Sequence, residues 1–67
     1  MKVKDYDFKY NMIEMIHSNL EGTKLGKIAL LPIRVFMKDY GNMEVLSVQD
    51  FNDTKSTSVI IYNKDLD

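Results

Sequence analysis

The chain reads as an α+β domain. One N-terminal amphipathic helix packs on a three-stranded antiparallel meander, in the order αβββ, and residues 1–67 form a single small domain. Three observations predict this. Apolar residues between Phe8 and Leu20 recur at helical spacing. The stretch from Lys27 to Leu46, the most apolar in the chain, carries Pro32 in its middle and Gly41-Asn42 near its end. Two more runs suited to strands follow, separated by the turn-like Asn52-Asp53-Thr54-Lys55.

The helix is expected over 5–21. Phe8, Met12, Met15, Ile16 and Leu20 form one apolar stripe, and Ile13 widens it. Asp5 or Asp7 caps the start by accepting from a free backbone N–H, and Gly22 ends it in a left-handed conformation. On this reading Met12 and Ile16 are core.

The first strand follows. A helix over 24–40 would hold Gly26 and Pro32 inside it, at about 1 and about 3 kcal/mol respectively. Ile28, Ile33, Val35 and Phe36 suit a pleated surface instead. Proline fits an edge strand, where its missing N–H breaks no ladder. The alternative is a short helix over 24–31 with the strand starting at Ile33. Gly41-Asn42 serves as a hairpin loop into Glu44–Phe51. Ser56–Asn63 closes the meander as a second edge with neither charge nor proline to guard it.

This register sorts the side chains. Tyr40 would face Met43, Lys38 would face Val45 and Phe36 would face Ser47. One sheet face, with Ala29, Leu31, Ile33, Val35, Met37, Leu46 and Val48, would pack on the helix. The other carries Arg34, Phe36, Lys38, Tyr40, Met43 and Phe51, and its Arg, Phe, Tyr and Met are types enriched where protein partners bind. Together with Ile60 on the open edge, these are the candidate partner-binding residues.

Composition bounds the function. There is no cysteine and only one histidine, which removes disulfides, cysteine-based metal sites and any multi-histidine site within one chain. A chain this short buries about 60% of its unfolded surface, so association with another chain is expected to supplement the core. No apolar run approaches the roughly 18 residues of a membrane span, and no secretion signal is read at the N-terminus, so the location expected is cytoplasmic. The net charge is −1. It divides as 6 Lys/Arg against 4 Asp/Glu (+2) over 1–34, and 3 against 6 (−3) over 35–67. Neither half has the basic balance of a duplex-DNA binder.

Motifs for chemistry are weak. Glu21–Lys27 has the flavour of a phosphate loop, but it is one residue short, and Ile28 stands where a hydroxyl should hold Mg²⁺. On a helix, Glu14, His17 and Glu21 would share a face as half of a carboxylate-bridged metal site, yet the second half is missing. His17 and Ser18 are poorly placed as a base–nucleophile pair. No catalytic residue, metal or cofactor is assigned, and the chain is read as a non-enzyme.

The expectation is a small protein-binding module, a stoichiometric inhibitor or adaptor of phage or bacterial type to judge by its composition. It would bind another chain, as a homodimer, a host-protein complex or both, through the aromatic face or an exposed edge. The alternative is a single-stranded nucleic-acid binder, with Phe36, Tyr40 and Phe51 stacking on bases and Arg34, Lys38 and Lys27 on phosphate. The acidic second half disfavours it.

Overall fold

The computed structural model describes the backbone of residues 1–67 and every side chain except those of Lys27 and Ile28. The roles read for those two side chains lie outside the described residues. Strands β1 (Met12–Ser18) and β2 (Leu25–Pro32) form a hairpin, α1 (Ile33–Tyr40) follows, and β3 (Val45–Phe51) and β4 (Ser56–Tyr62) form a second hairpin. The sheet order is β2-β1-β4-β3. Both hairpins are antiparallel, and the central pair β1–β4 is parallel. Short 3-10 turns flank the sheet at Val3–Asp5 and Lys64–Leu66. An isolated Lys2–Glu44 bridge ties the N-terminal segment to the approach to β3.

The αβββ expectation is therefore corrected. Residues 12–18 are a strand, not the middle of a helix, because Ile13 and Met15 are fully buried while Met12 is exposed. The period is two. It reads as helical because β1 is a central strand with apolar side chains on both faces, and Met12 and Ile16 supply the second apolar set. Met12 and Ile16 are not the core; Ile13 and Met15 are.

Pro32 marks a boundary between strand and helix. It has extended dihedrals (φ −59°, ψ 143°) and sits at the N-cap of α1. Proline disfavours the α conformation in the residue before it, which suits the end of β2. The helix then needs only its own apolar stripe: Ile33, Phe36, Met37 and Tyr40 at i, i+3, i+4 and i+7. These four pack on the sheet, while Arg34, Val35, Lys38 and Asp39 face outward. The strand expected over 33–40 and its hairpin loop at Gly41-Asn42 are thus overturned. Gly41 closes the helix, donating its N–H to the Met37 carbonyl at 3.1 Å and lying so close that an added Cβ would stand 2.5 Å from that oxygen.

β2 and β3 are the two edges, at opposite sides of the sheet, and α1 is the link between them. The helix covers one face, where Val3, Ile13, Met15, Phe36, Val59 and Ile61 form the core. β4, expected to be an unguarded edge, is instead an interior strand paired on both sides.

Candidate functional site

Strand alternation decides what the uncovered face holds. Ile13, Met15 and His17 point toward the helix, so Met12, Glu14 and Ile16 point away from it. Register extends this across the sheet. Phe51 and Ser56 lie in the row of Met12; Leu30, Ser58 and Gln49 in the row of Glu14; Ile60 and Ser47 in the row of Ile16. Leu25, opposite Ser18, adds a further apolar side chain on edge strand β2.

The face is apolar at its margins and polar at its centre. Leu25 is 63% exposed, Leu30 50%, Phe51 37% and Met12 36%, while Ile16 and Ile60 are half-buried by their neighbours. At the centre Ser58 Oγ donates to Glu14 Oε1 at 2.9 Å. A shallow depression of about 370 Å³ lies here between Leu30 and Phe51, with Asp53 and Thr54 of the β3–β4 turn on its rim. One helix cannot cover both sides of a four-stranded sheet, and among the described residues Leu25 and Leu30 on this side stay exposed.

Of the residues expected to bind a partner, two stand on this face, Phe51 at the end of β3 and Ile60 in β4. Phe36 is 1% exposed and is the largest fully buried side chain. Tyr40 is half-buried, its ring 5.1 Å from that of His17 in a T-shaped contact. Met43 packs at the core margin. Arg34 and Lys38 are exposed on the outer side of α1. The stacking set of Phe36, Tyr40 and Phe51 therefore does not form one platform, and Arg34 and Lys38 do not flank it.

Sequence reasoning missed Met12, Leu25 and Leu30. The signal lay in the alternation of Met-Ile-Glu-Met-Ile-His-Ser, where each set of alternate positions contains apolar residues. Such a pattern marks an interior strand with two faces to fill.

The Glu14/His17/Glu21 cluster dissolves. In a strand Glu14 and His17 point to opposite faces, and Glu21 lies in the β1–β2 loop. Among the described residues no group of three or more His, Cys, Asp or Glu is placed to hold a metal ion. His17 instead faces the helix side. Its Nδ1 lies 2.9 Å from Asn63 Nδ2, and burial holds its pKa below the ordinary histidine value of 6.5. Among the described residues no helix is long and apolar enough to cross a membrane.

Comparison with protein-family models, curated proteins and solved structures finds no match to this chain, so its family is not assigned.

Proposed function

We propose that the chain is a small protein-binding module, an inhibitor or adaptor of phage or bacterial type that works in the cytoplasm by docking its open sheet face on another chain, without catalysis or cofactor. The observation that carries this reading is the pairing of a helix-covered face with a bare one that exposes Leu25, Leu30, Met12 and Phe51. Apolar surface gathered on one side of a small domain usually marks an interaction site.

A second copy is the occupant this reading commits to. Four strands about 4.8 Å apart and seven or eight residues long at about 3.3 Å each present a footprint of roughly 400 Å² in projection. Corrugation by side chains raises that toward the about 800 Å² per partner of a standard interface. Two such faces related by a two-fold axis would stack as sheets do, about 10 Å apart.

Sedimentation equilibrium at micromolar concentration tests this. The expected result is a dimer that Leu30→Asp converts to monomer with the circular dichroism spectrum unchanged, while Val35→Asp on the outer face of α1 leaves the dimer intact. A monomeric parent, or a dimer indifferent to Leu30→Asp, overturns the self-docking reading.

The nucleic-acid reading has no comparable support, because its aromatic and basic residues are spread over the core, the helix exterior and the sheet edge. A filter-binding titration with single-stranded DNA and RNA at low salt is expected to show no tight complex. Sub-micromolar binding that weakens steeply with salt would reverse the ranking.

A further inference from the structure

Asn63 settles which nitrogen of His17 carries the proton. Its backbone N–H donates to the Ser18 carbonyl at 2.8 Å, which docks the residue beside the end of β1. Its side-chain Oδ1 accepts from the Asp65 N–H at 3.0 Å, as the N-cap of the 3-10 turn Lys64–Leu66. That bond fixes the orientation of the amide, since turning it over would set NH₂ against N–H. Nδ2 is therefore the atom that meets His17 Nδ1, and it can only donate. Nδ1 must accept, so the neutral ring carries its proton on Nε2. That atom is buried and has no hydrogen-bond partner among the described residues.

Protonation turns this arrangement against itself. An imidazolium donates from both nitrogens. Nδ1–H would confront Asn63 Nδ2–H, donor against donor. Rotating the amide relieves that clash only by removing the cap from Asp65. Among the described residues, the surroundings offer the added charge no counter-charge. Tyr40 from α1 is neutral, the register neighbours Ile61 of β4 and Gly26 of β2 are uncharged, and Asn63 is an amide. Glu14 of β1 is on the opposite face, bonded to Ser58. Lys64 and Asp65 on the turn itself are exposed and of opposite sign. A charge introduced into a half-buried site without a counter-charge is disfavoured.

We propose that His17 and Asn63 form an acid-released latch that holds the 3-10 turn Lys64–Leu66 against the end of the sheet. The direction of the histidine shift agrees with this. A histidine with a lowered folded pKa favours the fold when neutral, so the latch is closed above the ordinary value of 6.5 and loosens as pH falls through it toward the folded value. The second hold on the tail does not titrate in the same window. Asp67 accepts from the Leu20 N–H and the Tyr62 hydroxyl, and those bonds keep its carboxyl below the ordinary 3.8. Acid thus frees the cap while the Asp67 side-chain carboxylate still holds, and the turn unwinds between two fixed points. This latch stands independently of the docking face, which lies on the other side of the sheet.

Solution NMR on the whole chain tests it. Long-range ¹H–¹⁵N correlation at about pH 7.5 is expected to show His17 as the Nε2–H tautomer; an Nδ1–H tautomer overturns the proposal. The heteronuclear NOE of residues 64–66 is expected to fall between about pH 7.5 and about pH 5, the range in which histidine changes charge. In Asn63→Ala, which keeps the histidine, the NOE of 64–66 should be low already at the higher pH and insensitive to acid. An unchanged NOE in the parent, or the same acid-driven fall in Asn63→Ala, overturns the proposal. His17→Phe, if it folds, should keep its NOE constant across the range, and an undiminished fall there counts equally against the latch.

Discussion

Phe36 and Val35 are neighbours in the chain and opposites in the fold: one is 1% exposed in the core, the other 46% exposed on the outer side of α1. Truncating Phe36 to Ala is expected to destabilise the domain by about 3–5 kcal/mol, by lost burial and a cavity the sheet cannot collapse to fill. Val35→Ala should change stability by less than about 0.5 kcal/mol. Urea denaturation of the two variants checks the contrast, and equal midpoints would place Phe36 outside the core. At the same scale, the Tyr62 hydroxyl donates to Asp67, and that bond raises the tyrosine pKa above 10.0 and lowers the aspartate below 3.8. A lowered aspartate stabilises above its unfolded value and loses that contribution as pH falls through the folded one. A raised tyrosine stabilises below its unfolded value and loses it as pH rises. The contact therefore holds between about pH 4 and about pH 10, and Asp67→Asn is expected to return the Tyr62 titration, followed by NMR, toward the ordinary tyrosine value. Single residues also show where sequence reading stopped. Met12 and Ile13 are equally apolar, and only the partner strands decide which of them faces the core.

The β1–β2 loop depends on one side chain. Asn19 is 6% exposed, its Oδ1 accepts from the N–H groups of Thr23 and Lys24 at 2.9 and 3.1 Å, and its Nδ2 donates to Thr23 Oγ1 at 2.8 Å. Gly22 at φ 77° supplies the left-handed step of the turn, and the Leu20 N–H ties the loop to Asp67. Asn19→Ala leaves those donors without their acceptor and is expected to cost about 1–3 kcal/mol. Amide exchange at Thr23 and Lys24 should rise before the rest of the sheet is affected, and unchanged exchange there would show that the loop holds itself by other means. Elements differ in how legible they are for the same reason. The second hairpin, with strands at 45–51 and 56–62, was readable because its turn residues and β-branched runs agree. The helix was not. Its stripe at Ile33, Phe36, Met37 and Tyr40 is regular, but Pro32 argues for an edge strand as readily as for a helix start, and Gly41-Asn42 imitates a hairpin loop. The candidate site suffered accordingly. Phe51 lies in the strand read for it, Ile60 lies in its strand but inside the sheet instead of on an open edge, and Arg34, Phe36, Lys38, Tyr40 and Met43 moved with the misread segment.

At the scale of the molecule the deciding fact is the place of β4, the last strand in sequence, between β1 and β3. No local pattern encodes that insertion. With β4 paired on both sides, its Val59 and Ile61 are buried. Hydrogen exchange is expected to be slowest at 57–61, where β4 is paired on both sides, and faster along β2 and β3, which are paired on one. Fast exchange in β4 with protection at the edges would mean a different strand order.

The parallel pairing of β1 with β4 also sets how the domain answers to force. A pull on the two chain ends draws β1 toward its Met12 end and β4 toward its Tyr62 end, in opposite senses along a common axis. The ladder from Met12–Ser56 to Ser18–Tyr62 is then loaded in shear, and its bonds must fail together. A pull applied across the open end of the β3–β4 hairpin, between Val45 and Tyr62, would instead separate those strands one bond at a time. In single-molecule stretching the domain is expected to resist extension from its ends strongly and to give way easily when pulled between the start of β3 and the end of β4, so that a marginally stable fold is mechanically stiff along one direction only.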